Sequence, residues 1–289
     1  MASSGERRQV NIDELLARAG ELPPLPQVAQ KALSLIRNPD SRMSDLADVL
    51  SMDQAMAGLV LRWANSAYFG LRSPVSTVQQ AVVYLGQNSI QSLVLAASIA
   101  AFIDRPAPGY GLERGQLWIQ SIGIASAARL LTTKFGRQVS EEAYHAGLLA
   151  DIGKLAFEEL LRDVNLDTPE WKDRSFSDLE IEYFGINHAA MGAEMARRWR
   201  LPDPLVEAIA CHHQPSRASK GLVLASAVHV ADIAMMMMGI GLGRDGLQYT
   251  IDPVAIEQLG FTEASFGELV SRVAPFVAEA QKFTRRGKV

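Results

Sequence analysis

The stretch that most restricts how this chain can fold is Ser89 to Phe102, which reads Ser-Ile-Gln-Ser-Leu-Val-Leu-Ala-Ala-Ser-Ile-Ala-Ala-Phe. It opens after Asn88, a helix-start residue, and is apolar on every side of a helix, so other elements must enclose it. Ala96, Ala97, Ala100 and Ala101 leave room for neighbouring helices to come close. Gly221 to Gly243 is nearly as apolar, yet it carries His229 and Asp232 in its middle, which fits a buried core helix better than a membrane span. No segment sustains period-two alternation with β-branched residues. The expected fold is therefore all-α, a helical bundle in two lobes.

Punctuation divides the chain. Residues 1–21 read as a polar tail and a short helix, 22–104 as an N-terminal helical lobe, 112–238 as a second helical lobe and 239–289 as a C-terminal helical extension. Arg105-Pro106-Ala107-Pro108-Gly109 is the best linker between the lobes. Start signals are expected at Ser44, Asp53, Ser140 and Asn187, with Ser177 and Glu180 as a capping box. Gly86 is a natural end for a helix begun near Thr77. The helices around Asp45–Leu50 and Asp53–Asn65 resemble a helix-turn-helix in length. Asp45, Asp48 and Asp53 against Arg62 make that face too acidic to grip phosphates. The glycine-rich run Gly239–Gly246 lacks the lysine and helix entry of a phosphate cradle.

Composition narrows the function classes. Hydrophobic residues at 48% and charged residues at 21% give a globular balance. The net charge of −4 disfavours a general grip on nucleic acid. A single cysteine, Cys211, rules out an internal disulfide and fits a reducing, cytoplasmic compartment. The first residues lack the apolar core of a signal peptide, so neither membrane nor nucleic acid is an expected partner.

The candidate chemistry gathers around Asp151. It lies in Tyr144-His145-Ala146-Gly147-Leu148-Leu149-Ala150-Asp151-Ile152-Gly153-Lys154-Leu155, apolar on both sides, where an unpaired charge costs several kcal/mol. It needs a metal, a cation or hydrogen-bond donors. His188, His212, His213 and Asp232 follow along the helical chain and could supply a site with it. His145 is six positions from Asp151, the wrong register for a shared helix face. His229 and Asp232 are three apart and can share one. Cys211 has no second thiol to join and reads as an inert core residue.

Gly147 to Leu155 resembles the Leu-Leu-His-Asp-Ile-Gly-Lys signature of the HD superfamily of metal-dependent phosphohydrolases, with Ala150 in place of the histidine. Three runs further resemble the HDOD subgroup: Leu22-Pro23-Pro24-Leu25-Pro26, Leu61-Arg62-Trp63-Ala64-Asn65-Ser66-Ala67-Tyr68-Phe69-Gly70 and Ala81-Val82-Val83-Tyr84-Leu85-Gly86. The resemblance spans roughly Leu22 to Ala234. It implies that Gln120 stands where catalytic members carry a histidine ligand and that Asp151 and Asp232 match metal-binding aspartates. It also implies that His188 and His212 or His213 match the histidines of two-metal members, and that Lys154 matches a phosphate-contacting lysine.

With Gln120 and Ala150 unable to act as imidazole donors, the expectation is a non-catalytic signalling or scaffold module. The resemblance implies that it works through protein contacts in a bacterial pathway; no cofactor is expected, and Lys154 would pair with acidic neighbours at the surface. Tyr68 and Phe69 are the candidate partner anchors. The alternative is a metal-dependent phosphohydrolase of nucleotides or cyclic dinucleotides, with one divalent transition metal on a rearranged site built from Asp151, His188, His213 and Asp232. A third idea is a cavity that binds such a nucleotide without cleaving it.

Overall fold

The computed structural model describes residues 26–38, 40–65, 71, 73–161, 164–166, 174–244 and 248–286. Tyr68 and Phe69 lie outside them, as do the N-terminal tail and the Leu22–Leu25 entry. The described residues form helices and no strand, as their periodicity requires.

The N-terminal lobe consists of α1 (Gln27–Arg37), α2 (Met43–Ser51), α3 (Gln54–Ala64) and α4 (Val78–Ile103). α4 is broken at Gly86, whose φ of 76° and ψ of 169° only glycine holds readily. The arms Val78–Gln87 and Ser89–Ala100 meet there at 118°. A Cβ at Gly86 would touch nothing within 4 Å, so the backbone angle alone demands glycine. α1, α2 and α3 wrap α4, and the arm after Gly86 is sunk in the core, with Ile90, Val94, Leu95 and Ile99 fully buried.

The second lobe is built on α5 (Gln116–Leu131), which packs against α6 (Arg137–Leu149), α11 (Leu222–Met237) and α13 (Glu263–Arg286). α7 (Gly153–Leu161), α8 (Phe176–Phe184), α9 (His188–Arg198), α10 (Asp203–Cys211) and the short α12 (Pro253–Leu259) complete it. α4 also lies on α6, and Trp63 meets Trp118 edge-on at 5.7 Å. The buried apolar residues of both lobes therefore join in one continuous core. Among the described residues, no single helix is long and apolar enough to cross a membrane.

Several local signals act as expected. Asp53 accepts the Met56 N–H at 2.8 Å, and Asn187 accepts that of Ala190 at 2.9 Å, so each caps its helix. Others are displaced. α2 is capped at Arg42, not Ser44, because Asp45 reaches back to the Arg42 N–H and guanidinium. α6 begins at Arg137, and Ser140 instead donates to the Gly136 carbonyl at 3.0 Å. The N-cap of α8 is Ser175, which frees Glu180 to turn inward. The Arg105–Gly109 stretch is no loose tether. Ala107, Gly109 and Tyr110 are buried, the Gly109 N–H donates to Glu158 at 3.0 Å, and Arg114 grips Asp104 across the loop at 2.8 Å.

Candidate metal centre

Asp151 closes the turn between α6 and α7, and His188 opens α9. Their meeting depends on Gly153. A Cβ there would lie 1.9 Å from the His188 carbonyl oxygen and 2.7 Å from the Gly192 nitrogen, so only glycine lets α7 and α9 approach this closely. His212 and His213 follow the end of α10. His188, His212 and His213 each offer a nitrogen, and these three atoms lie within 4.8 Å of one another. Asp151 Oδ1 stands beside them, 3.4 Å from His188 Nε2 and 3.9 Å from His212 Nε2.

For His188 and His212, a hydrogen bond on the far side of the ring sets which nitrogen faces the cluster. His188 Nδ1 lies 2.7 Å from the Glu180 carboxylate, which accepts only, so Nδ1 carries a proton and Nε2 is the atom turned to the cluster. His212 Nδ1 donates to the Ile209 carbonyl at 2.8 Å, leaving Nε2 bare. His213 Nε2 faces His188 Nε2 at 2.8 Å, and its ring stacks on Tyr249 with centroids 4.5 Å apart and planes 8° from parallel. His212 itself is held from outside the site. His229 Nδ1 donates to the His212 carbonyl at 2.8 Å, while His229 Nε2 accepts the Asp252 N–H at 2.9 Å.

The electrostatics follow from depth. Asp151 is 2% exposed, His212 1% and His188 not at all. Burial pushes the Asp151 carboxyl up, but Lys154, His188 and His212 outweigh it and hold the group below its ordinary value. Burial pushes His188 down, and the Glu180 carboxylate outweighs it, so His188 sits above an ordinary imidazole. Burial takes His212 down to about 4, and His213 well below its usual value. Lys154 departs from the expectation of a surface residue: it is buried, with Nζ 3.1 Å from Asp151 Oδ1 and 5.6 Å from the centre of the Tyr110 ring. The reason is the α7–α9 contact, which covers the first turn of α7.

The donor set fits a divalent transition metal. Beyond the ion pair to Lys154, neither Asp151 oxygen has a hydrogen-bond partner, and neither has His212 Nε2. These buried orphans are all lone pairs, which a cation satisfies and a further acceptor does not. A tetrahedral site with metal–nitrogen bonds of about 2.0–2.1 Å has donor–donor edges of ~3.4 Å, within the spread found here.

Among the expected ligands the three histidines converge, while Asp232 accepts from the Gln120 amide at 3.2 Å. The Gln120 amide on α5 thus engages the aspartate that the family resemblance pairs with its position. Gly241, with φ of 71°, leaves space for this arrangement, because a Cβ would lie 2.3 Å from the Gln120 amide. Ala150 is buried and offers no donor. His145 is buried apart from the cluster near Arg129, which with burial brings it to about 4. Cys211 is half-buried, and burial raises its thiol.

Sequence reasoning missed Glu180, Tyr110 and Tyr249. Glu180 has the spacing of a local cap. Tyr110 sits in a segment that reads as a linker, and Tyr249 follows a glycine-rich run with no periodicity. The spacing of Glu180 before His188 carried the one usable signal, an acid just ahead of a histidine-led helix.

Comparison with known proteins agrees with this architecture. A crystal structure of an HDOD domain protein of unknown function from Geobacter sulfurreducens superposes with a TM-score of 0.72 at 24% identity, covering 95% of this chain and 98% of the other. A Marinobacter aquaeolei VT8 protein, provisionally named for signal transduction, superposes with a TM-score of 0.69 at 26% identity, over 96% of this chain and 62% of that one. A Treponema pallidum (strain Nichols) protein is 28% identical over 200 residues, which is 68% of this chain and 38% of that protein. The chain thus spans well under half of that relative. The sequence pattern of the HDOD domain matches residues 22–215, which take in the whole N-terminal lobe and every residue of the converging cluster. On that match, over most of its length, this chain belongs to the HDOD domain family.

Proposed function

We propose that this chain is a signalling module that works through protein contacts, and that Asp151, His188, His212 and His213 hold one divalent transition metal as a brace, not as a hydrolytic centre. The observation that carries this reading is the depth of the donors: Asp151, His188 and His212 are all but sealed, while His213 is covered on one ring face by Tyr249. Structural metal sites are closed, whereas catalytic ones keep an open position for water and substrate. The Gln120 amide also supports it, since it donates to Asp232 from a position that the resemblance gives to an imidazole ligand and so supplies no nitrogen lone pair there. The Marinobacter relative's name points to signal transduction, although this chain spans only 62% of that protein.

A bound metal would tie the α6–α7 turn to the start of α9 and the end of α10, rigidifying the lobe by closing three contacts at once. The experiment is metal analysis of protein purified without chelators, beside an assay of nucleotides and cyclic dinucleotides with Mn, Fe or Mg supplied. The expected result is about one metal per chain and no hydrolysis. Turnover that disappears in Asp151→Ala refutes the reading.

One observation favours a second reading, a metal-dependent phosphohydrolase. Three imidazoles and a carboxylate are a richer donor set than a degenerate motif requires. The same assay separates the two, because both load metal and only the second turns over.

A further inference from the structure

The residue that prepares His188 lies outside the donor set. Glu180, on α8, is wholly buried, and its Oε2 accepts both the backbone N–H of His188 and its Nδ1, each at 2.7 Å. Its other oxygen, Oε1, accepts a hydrogen bond from the Tyr110 hydroxyl. Both carboxylate oxygens are thereby engaged, and the group cannot rotate without breaking one of these bonds. Tyr110 is anchored in turn. It is buried, its carbonyl accepts the Arg244 N–H at 2.8 Å, and its ring stands edge-on to that of His188 with centroids 6.2 Å apart. Gly243 lies against the same carbonyl, where a Cβ would come within 2.2 Å. Tyr110 belongs to the segment that joins the last helix of the N-terminal lobe to α5, closed by the Ala107–Leu112 bridge.

We infer that Glu180 and Tyr110 are a positioning pair for the metal centre. Glu180 orients the His188 ring and turns its Nε2 to the cluster, and Tyr110 fixes Glu180 while tying the centre to the inter-lobe connector. A histidine ligand whose far nitrogen donates to a carboxylate is held in one orientation and made a better donor, and loss of such a partner typically lowers metal affinity about 10–100-fold. The inference rests on the metal reading above, and it adds a consequence for the connector: loading the centre should quiet residues 104–115.

The test compares wild type with Glu180→Gln and Tyr110→Phe. Both substitutions keep the side-chain volume, so the metal-free proteins should melt within a few degrees of wild type. Zinc affinity is read by competition with a chromophoric chelator, and hydrogen exchange of the 104–115 peptide is followed with and without zinc. Expected are a loss of about 10–100-fold for Glu180→Gln, a smaller loss for Tyr110→Phe, and zinc-induced protection of the connector in wild type that Tyr110→Phe abolishes. Zinc binding in Glu180→Gln within threefold of wild type overturns the inference, as does a connector indifferent to zinc.

If wild type binds no zinc, the metal reading itself has failed, and nitrogen-15 NMR of the metal-free histidines still decides the positioning claim. A protonated His188 Nδ1 in wild type that is lost in Glu180→Ala upholds it. A bare Nδ1 in wild type overturns it.

Discussion

Replacing Gly153 by alanine tests whether the meeting of Asp151 and His188 depends on backbone contact. The added Cβ would lie 1.9 Å from the His188 carbonyl oxygen, 2.7 Å from the Gly192 nitrogen and 2.8 Å from the His188 carbonyl carbon. The first distance is about 1.5 Å short of ordinary contact. The obstacles are backbone atoms in the first turn of α9, so no side chain can swing aside, and the two helices must part. Overpacking that side chains absorb costs about 1–3 kcal/mol. With backbone opposing, we expect at least ~3 kcal/mol, or a fall in Tm of about 6–12 °C for a domain of this size.

The separation also carries His188 away from Asp151, so metal affinity should drop with stability. The assay is urea unfolding followed by circular dichroism, where the midpoint should fall while the slope holds. Gly58→Ala is the matched control. Gly58 is exposed in the middle of α3, a Cβ there meets nothing within 4 Å, and the same change should stabilise by about 0.5–1 kcal/mol. Unfolding of Gly153→Ala within ~0.5 kcal/mol of wild type would show that the α7–α9 contact is not what this reasoning takes it to be.

Three further outcomes are expected. His145 is held at about 4 by burial and Arg129, below its ordinary 6.5. The unfolded chain therefore takes up a proton that the folded one refuses as pH falls from 6.5 towards 4, and stability should decline over that window by up to ~3 kcal/mol. His145→Gln should flatten this part of the wild-type profile in unfolding measured between pH 4 and 7, and an unchanged slope would contradict it. Asn65 Nδ2 donates to the Val75 carbonyl at 2.8 Å, and its Oδ1 accepts the Val75 N–H at 2.7 Å. Losing both bonds in Asn65→Ala should cost about 1–3 kcal/mol in the same unfolding assay, whereas a neutral effect would mean that these two bonds do not stabilise the fold. Lys154→Met keeps the bulk of the side chain but leaves the buried Asp151 carboxylate without its nearest cation, which should cost ~3 kcal/mol. Lys154→Met with wild-type stability would argue that Asp151 is not ionised in the fold.

The helical layout was largely legible because it is a local matter. Asp53 and Asn187 cap where their side chains reach the next turn, and Gly86 breaks a helix wherever the chain needs its φ of 76°. The Ser89 arm had to be buried because no face of it suits water. Where local rules offered two answers, the nearer one misled. Ser177 and Glu180 satisfy the spacing of a capping box, yet Ser175 caps α8 and Glu180 is drawn inward by His188 and Tyr110. The competition is between a local cap and bonds to residues remote in the chain, and no window of neighbouring residues contains that comparison. Arg105–Gly109 has the composition of a linker, and the buried Gly109 and Tyr110 at its end are held by Glu158 and Arg244, both remote in sequence.

The sequence alone settled that the chain is helical, that one carboxylate in an apolar run must find a partner, and that Gln120 and Ala150 carry no imidazole. Those conclusions need only side-chain chemistry and periodicity. Which groups surround Asp151 was decided by the tertiary structure, through the α7–α9 contact at Gly153 and the Glu180 bond behind His188. The physical reason is reach: a hydrogen bond or metal bond is set within a few ångströms, and only the packed helices bring residues so far apart in the chain to that distance.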